Sequence, residues 1–294
     1  MLWSKRKKAP KQEPDRESPL PEPVGNTLAP TAAPASPVPV IQRQLSYSIG
    51  NLQGVGRREH QEDSFGFVNA MDVTLIRNRG LLAILADGMG GMADGKLASE
   101  TVVASLRQDF QMMDYSDDLG EQLRDMIRRA NDRVYAQLQG DGGSTLVLCL
   151  FYQGQLWFGS VGDSALFLLR SGELLRLNRE QNVLTDLYID AVCQDSMDPN
   201  RARNDREKDA LTQFLGMPAL EEIDSLLRPM KLHDGDCFLL CSDGVSDIVP
   251  EPELQSCLEQ PKPMQSCSAL ERAVINANYP YQDNFTALVI RCEY

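Results

Sequence analysis

Short apolar runs separated by polar turns follow one another along the chain from residue 46 to the end. Runs of five to eight apolar residues are typical of strands that are buried on one or both faces. Short glycine-containing connections such as YQGQ and RSGE join several runs and indicate hairpins. The pattern predicts strands at residues 47–52, 63–69, 81–86, 144–151, 155–162, 165–169, 236–241 and 285–292.

Helical spacing of apolar residues occurs in separate blocks of the chain. Residues 96–110 and 119–138 form one block, and the second of these stretches places Leu123, Ile127, Ala130, Val134 and Leu138 on one face. Two further helices are predicted around residues 251–259 and 265–277. Because hairpin strands are grouped apart from helices, we expect an α+β fold with mainly antiparallel sheets, not a doubly wound one.

The first 45 residues differ from the rest of the chain. Nine of the 17 prolines precede residue 40, and the stretch has neither helical nor strand periodicity. We therefore expect residues 1–45 to be a disordered, proline-rich tail and residues 46–294 to be the folded domain. The tail begins with the basic segment MLWSKRKKAPK, without the apolar segment of a signal peptide. It is either a solvated tail or a weak contact for an anionic membrane or acidic partner.

Charge and cysteine content narrow the class of protein. The net charge is −13, and because the tail carries +3, the domain carries −16. Such a domain is poorly suited to non-specific nucleic-acid binding but well suited to collecting divalent cations.

No apolar run approaches the length of a transmembrane span. Seven cysteines without a Cys-x-x-Cys motif favour reduced thiols in a cytoplasmic protein, with Cys237 and Cys241 filling a core.

Carboxylates stand at the ends of four strand-like runs. Asp-Gly and Asp-Asn pairs are common turn formers, so one such pair needs no further explanation. Four of them, each beside a strongly apolar run, suggest a shared site. The segments are Glu62-Asp63, Asp87-Gly88, Asp243-Gly244 and Asp283-Asn284.

Convergence of these carboxylates would require cations or protons. Two carboxylates about 4 Å apart repel by about 4 kcal/mol at an effective dielectric constant of ~20, and several pairs together cost on the order of 10 kcal/mol. That cost is comparable with the stability of a whole domain. Oxygen ligands suit the hard ions Mg²⁺ and Mn²⁺. With His60 and His233 the only histidines, a zinc site of the His/Cys type is not expected.

Six motifs occur in an order that resembles a known family. The order matches that of the metal-dependent Ser/Thr protein phosphatases of type 2C (the PPM family), over residues 46–294, and DGMGG resembles the bacterial branch. The motifs are GVGRREHQEDSF, LADGMGGMADGKLAS, GGSTLVLCL, VGDSALFLLR, LLCSDGVSDIV and QDNFTALVI.

The resemblance implies a fold, an activity and partners. The fold would be a four-layer α-β-β-α sandwich with two antiparallel central sheets and flanking helices. The activity would be hydrolysis of phosphoserine and phosphothreonine in proteins by water activated by two Mn²⁺ or Mg²⁺ ions, with a possible third ion. The substrates would be phosphoproteins made by a Ser/Thr kinase.

The resemblance also implies roles for individual residues. Asp87 would bridge both ions, the Gly88 carbonyl would contact one of them, and Asp243 and Asp283 would bind the first. Glu62 would help to hold the second ion, largely through water, and Asp63 would orient the attacking water.

Further positions carry supporting or alternative roles. Arg58 matches the phosphate-binding arginine, with the adjacent Arg57 as the competing position. Asp141 matches a third-metal aspartate of bacterial members, or else belongs to an ordinary Asp-Gly turn. Asp163 and Asn284 would support the site from behind.

The sequence departs from the family pattern in three places. Ala165 replaces the arginine of Gly-Asp-Ser-Arg, which questions local packing more than chemistry. Met89 stands where some relatives have a histidine that acts as a general acid. A water must therefore protonate the leaving oxygen. A catalytic role for the nearby His60 is not favoured. The flap region, about residues 178–216, lacks the usual Asp-His pair but keeps ALTQFLG. We expect its polar stretch, residues 195–209, to be mobile and the flap to influence substrate choice.

Two other kinds of function remain open at this point. One is a catalytically weak or dead phosphatase-fold protein that binds phosphoproteins or a partner. The other is a phosphatase domain acting as a regulator in a sporulation-type or secretion-type switch. The complete set of acidic motif residues, together with Arg58, argues against a dead enzyme.

Overall fold

Strands and helices account for most of the computed structural model, which describes residues 45–90, 94–194, 199–226 and 228–294. The expectations for residues 1–44 of the tail and for residues 195–198 of the flap lie outside these residues, whereas Leu45, the last residue of the predicted tail, is buried in the core of the domain. The strands are β1 (Ser46–Gly54), β2 (Ser64–Val68), β3 (Leu81–Ala86), β4 (Gly88–Gly90), β5 (Gly142–Ser144), β6 (Leu146–Tyr152), β7 (Gln155–Val161), β8 (Ala165–Arg170), β9 (Glu173–Arg176), β10 (Asp224–Ser225), β11 (Met230–Lys231), β12 (Cys237–Cys241) and β13 (Phe285–Glu293). The helices are α1 (Val73–Arg79), α2 (Asp94–Gln111), α3 (Leu119–Leu138), α4 (Val183–Cys193), α5 (Pro199–Arg203), α6 (Asp243–Ser246), α7 (Glu251–Leu258) and α8 (Pro263–Ala277).

Two antiparallel sheets form the centre of the fold. The first has the strand order β1-β13-β12-β8-β9, and the second has the order β10-β7-β6-β3-β2 with β11 beside β7. Strands β1 and β13 pair over their full length, from Ser46 opposite Glu293 to Gly54 opposite Phe285. The α+β prediction with antiparallel sheets is therefore confirmed.

Side-chain alternation along the strands builds four layers. The odd-numbered residues of β3 pack between the two sheets, and its even-numbered residues pack against α2 and α3. On the first sheet, Cys237, Leu239 and Cys241 face outward and pack in the same cluster as residues of α7 and α8. Both faces of each central strand are thus covered, which explains why these strands are apolar runs and not alternating ones.

The predicted helices are present, and α3 has the predicted bounds. The Asp118 side chain accepts a hydrogen bond from the Glu121 N–H at 3.0 Å and caps the start of α3. Gln139 adopts a left-handed conformation (φ 53°) and ends the helix. Helices α1, α4, α5 and α6 and the short strands β4, β9, β10 and β11 were not predicted.

The predicted strand at residues 144–151 is wrong in one respect, because the run is divided between two sheets. Strand β5 pairs with β4 in a small separate sheet, whereas β6 belongs to the second large sheet. The break falls at Thr145, whose N–H donates to the Asp87 carbonyl at 2.8 Å. Its hydroxyl oxygen accepts from the Asp87 N–H at 3.1 Å, so the break fixes the residue that follows β3.

The cysteines are all free thiols, and six of the seven are buried. Cys237 and Cys241 are fully buried, as expected for core-filling residues. Among the residues that the structure describes, no helix has both the length and the apolar character needed to cross a membrane.

Candidate active site

The predicted acidic residues meet at one end of the sandwich because antiparallel pairing brings strand ends together. In the second sheet, Ser64 pairs with Ala86, so Asp63 before β2 and Asp87 after β3 lie side by side. In the first sheet, β12 ends beside the start of β13, which places Asp243 next to the turn that precedes β13. Residues at the strand ends of both sheets therefore contribute to one site.

Asp63 joins the two sheets at this site. Its side chain is fully buried, and Oδ2 accepts hydrogen bonds from the Ser242 hydroxyl at 3.0 Å and the Thr286 hydroxyl at 2.7 Å. Oδ1 is buried without a hydrogen-bond partner. Burial raises the pKa of Asp63, although the two hydroxyl donors act in the opposite direction. One oxygen is thus locked in place, and the other is free to accept a water or an ion.

Asp87 carries the strongest electrostatic signal of the site. Its backbone is fixed by the two hydrogen bonds with Thr145. Burial, followed by the charges of Asp63, Asp243 and Asp163, raises the pKa of Asp87 well above its usual range. These carboxylates are therefore close enough to repel one another.

Glycines 88 and 95 make room for the Glu62 side chain. A Cβ at Gly88 would lie 2.1 Å from the Gly95 carbonyl oxygen, so no larger residue fits there. A Cβ at Gly95 would lie 3.0 Å from the Gly88 carbonyl oxygen and 3.1 Å from Glu62 Oε2. The Gly88 carbonyl and the Glu62 carboxylate consequently face the same small space.

Two side chains in the first two turns of α2 hold the Glu62–Asp63 backbone, and neither was predicted from the sequence. The Lys96 ammonium donates to the Asp63 carbonyl at 2.9 Å, and the Ser99 hydroxyl donates to the Glu62 carbonyl at 2.5 Å. On the other side, the Glu62 N–H donates to Asn284 Oδ1 at 2.7 Å. Asn284 is itself buried.

Arg58 pairs with a predicted metal ligand. Its Nη2 donates to Asp283 Oδ2 at 2.5 Å, and this pairing raises the pKa of Arg58. Arg57 turns away and donates to Asn278 Oδ1 at 3.3 Å. Burial, followed by four neighbouring carboxylates, raises the pKa of Asp243 to about 7. Of the two adjacent arginines, Arg58 is the one that pairs with an acidic residue of the site.

A cation reaches Asp163 from a neighbouring strand. Burial raises the pKa of Asp163 to about 6, and the charges of Asp247 and Glu180 also raise it, whereas Arg176 acts to lower it. Arg176 Nη2 donates to the Asp163 carbonyl at 2.9 Å and its guanidinium also pairs with Glu180. Ala165, where the family has arginine, is fully buried. Arg176 and Asp247 were not predicted, although the Asp243–Asp247 spacing of one helical turn was a usable signal.

The remaining predicted positions lie at the border of the site. Asp141 is exposed in the turn before β5. The Asp141 carbonyl oxygen lies close to Gly90, since a Cβ added at Gly90 would be 3.3 Å from it. His60 is exposed, and only its backbone carbonyl is used, as an acceptor from Asn284. Met89 lies in β4 opposite Gly143. The flap residue Leu215 exchanges two backbone hydrogen bonds with Ser144, so the end of the flap packs against β5.

The donor set fits a hard divalent cation. Near Asp87 the side-chain donors are carboxylates, the Asp63 Oδ1 acceptor has no partner, and the Gly88 carbonyl opens on the space shared with Glu62. In the described ranges, no three His, Cys, Asp or Glu side chains already form a cluster that could hold an ion. Since Arg58 occupies Asp283, we infer that binding requires carboxylate rotations and release of this ion pair.

Comparisons with known proteins agree with this geometry. The profile of the family described as protein phosphatase 2C matches residues 57–274. Serine/threonine phosphatase stp of Listeria monocytogenes is 29% identical over 241 residues, which cover 79% of this chain and 90% of that protein. Serine/threonine protein phosphatase PstP of Mycobacterium tuberculosis is 29% identical over 229 residues, which cover 76% of this chain and 43% of PstP.

A solved structure is similar over the whole domain. The catalytic domain of PstP in complex with two manganese ions has a TM-score of 0.66 and 27% identity, covering 85% of this chain and 99% of that chain. The four-layer arrangement is thus shared with a phosphatase domain, and the relatives named here are bacterial, as the DGMGG motif predicted. Since the family profile covers well over half of the sequence, the chain belongs to the protein phosphatase 2C family.

Proposed function

We propose that the protein hydrolyses phosphoserine and phosphothreonine in proteins through a water activated by two Mn²⁺ or Mg²⁺ ions. The observation that carries this proposal is the meeting of the fully buried Asp63 with the partly buried Asp87 and Asp243, where mutual repulsion adds to burial and raises the pKa of Asp87 well above normal. Such an arrangement lowers the stability of the fold unless cations occupy it. The relatives are named as Ser/Thr phosphatases, and PstP was solved with two manganese ions.

The ligands proposed for the ions lie at strand ends of both sheets. When bound, the ions would supply a strongly nucleophilic water near neutral pH and neutralise charge on the phosphoryl oxygens. Asp141, which borders the glycine segment, is the candidate ligand for a third ion. The proposed ligands of the two main ions are Glu62, Asp63, Asp87, the Gly88 carbonyl, Asp243 and Asp283.

The chain's own side chains provide orientation and charge. Asp63, held by two hydroxyls, gives the attacking water a rigid acceptor. The Arg58 guanidinium exchanges Asp283 for two phosphoryl oxygens, which its planar fork can bind together. Met89 offers no proton, so the leaving oxygen takes its proton from water. Asp163 and Asn284 keep their neighbours in place.

The substrates proposed are proteins phosphorylated by a Ser/Thr kinase. A contact of the basic tail with an anionic partner and a cytoplasmic location stay predictions from the sequence, as does the expectation that nucleic acid is not bound.

A paired assay tests the proposed function. Wild type and Asp87→Asn are compared on phosphothreonine and phosphoserine peptides with Mn²⁺, with Mg²⁺ and with a chelator. We expect metal-dependent turnover by the wild type alone, with bound manganese measured by elemental analysis. Equal behaviour of the two proteins would refute the enzymatic role. Peptide binding without turnover would support the alternative of a catalytically dead binding protein.

A further inference from the structure

A cleft of about 590 Å³ opens beside Asp243 and Asp283. Its outer wall consists of side chains that the proposed chemistry does not use. They combine aromatic, apolar and charged groups: Lys208, Asp209, Asp247, Ile248, Tyr279 and Tyr281. The cleft therefore lies where the polypeptide on one side of a bound phosphoryl group would run.

Two exposed tyrosines form the aromatic part of the wall. Tyr279 and Tyr281 are 45% and 79% exposed, and their ring centroids are 6.1 Å apart in an edge-to-face arrangement. The turn that carries them is fastened to the site, because the buried Gln282 side chain donates to the Gly244 carbonyl at 2.9 Å. Large exposed aromatic surfaces in an open cleft are typical of binding sites.

The charge of the cleft indicates which group it binds. Asp247 lies one helical turn after Asp243, is exposed, and forms no ion pair in the described parts of the chain. Asp209 is already paired with Lys208 at 3.2 Å. With Asp243 assigned to a cation, Asp247 is the carboxylate that is left to act on a ligand. Aromatic ring faces also attract cations.

We propose that this cleft binds an arginine side chain of the substrate, close in sequence to the phosphorylated residue. The aliphatic stem lies against Tyr281 and Tyr279, and the guanidinium pairs with Asp247. Arginine suits the cleft better than lysine because its planar head stacks on aromatic rings and forms a forked pair with a carboxylate. This inference rests on the proposed function and adds a specificity element to it.

Matched peptides provide the test. Phosphothreonine peptides carry arginine at successive positions on either side of the phosphoresidue, each compared with citrulline, which has the same shape without charge. We expect kcat/KM for the best arginine peptide to exceed that of its citrulline partner about three- to tenfold, the range of one exposed ion pair plus a cation–π contact. Asp247→Asn should bring the ratio of arginine to citrulline peptide to about one, and Tyr281→Ala should reduce it. Asp247→Arg should instead prefer a peptide with glutamate at that position over the arginine peptide.

Two variants serve as controls. Glu271→Gln removes an exposed carboxylate on α8, and Tyr294→Ala removes an exposed aromatic residue at the opposite end of β13. Both should keep the wild-type arginine-to-citrulline ratio. Equal kcat/KM for the two peptides at every position, or a ratio unchanged in Asp247→Asn, would overturn the proposal.

The failure of this inference is distinguishable from failure of the proposed function. Wild-type turnover of the citrulline peptides tests the phosphatase activity alone. If no peptide is hydrolysed, anisotropy of the same peptides labelled with fluorescein, measured with EDTA present, tests the cleft. A higher affinity for arginine that disappears in Asp247→Asn supports the cleft, and equal affinities refute it.

Discussion

Replacing Asp243 by asparagine is expected to stabilise the chelated protein. Burial and four neighbouring carboxylates raise the pKa of this side chain from 3.8 to about 7. A shift of about three units corresponds to about 4 kcal/mol of unfolding free energy once the group is ionised. Because the side chain is partly exposed and its neighbours can share the proton, we expect a measured gain of about 1–3 kcal/mol.

The effect should depend on pH with a definite sign. A carboxyl whose folded pKa is raised costs nothing below its unfolded pKa of 3.8, and the cost is complete above the folded value of about 7. Stability is thus lost as pH rises through this window. Urea unfolding with EDTA should show the full gain of Asp243→Asn at pH 8 and about a third of it at pH 5.

A control of opposite sign and a metal titration complete the experiment. Burial acts to raise the pKa of Asp109, but hydrogen bonds from Arg133 and Arg129 outweigh it and lower the pKa, so Asp109→Asn should destabilise at pH 8. Mn²⁺ at 100 times its Kd should stabilise the wild type by about 2.7 kcal/mol, with a much smaller effect on Asp243→Asn. A chelated Asp243→Asn protein less stable than wild type at pH 8 would refute the repulsion on which the site assignment depends.

Substitutions at three further site positions, with Arg57→Ala as a control, test individual contacts. Arg58→Ala should lower kcat/KM for a phosphopeptide about 10²-fold, whereas Arg57→Ala should change it less than about threefold; similar losses in both would reject the choice of Arg58. Lys96→Met should raise the Mn²⁺ concentration needed for half-maximal activity about tenfold, within the range for residues that orient metal ligands, and an unchanged titration would contradict that positioning role. Thr286→Val removes a donor that lowers the pKa of Asp63, so the acidic limb of the pH–rate profile should move to higher pH; a shift to lower pH would argue against it.

The long strands and helices were predictable because their buried faces require apolar residues at regular positions in the sequence. Strand β3 is covered on both faces and is therefore a continuous apolar run, and α3 buries one regular stripe. Helix α4 has no fully buried residue, and its apolar residues lie around most of its circumference, so no single apolar stripe indicates it. The break at Thr145 depends on the Asp87 backbone, 58 residues away, and the residues next to Thr145 in the sequence give no indication of it.

The acidic residues of the site were predictable for a different reason. A carboxylate at the end of a buried strand is costly, and four of them in one chain require a common explanation. Lys96 and Ser99 were not predictable, because they donate to backbone carbonyls and any residue can offer a carbonyl. The cleft beside Tyr281 depends on the turn before β13, where the sequence indicated roles for Asp283 and Asn284 but none for the two tyrosines.

The alanine at position 165 shows why a motif departure has to be judged in space. Ala165 is fully buried opposite Cys241 in β12, where a guanidinium would be removed from water. Arg176 comes from β9 instead, with its guanidinium 5.7 Å from the Phe167 ring centroid and bonded to the Asp163 carbonyl. Because Arg176 also opposes the rise in the pKa of Asp163, a cation still acts on this aspartate. The missing motif arginine is therefore compatible with a working site, since its neighbourhood receives a guanidinium from the adjacent strand.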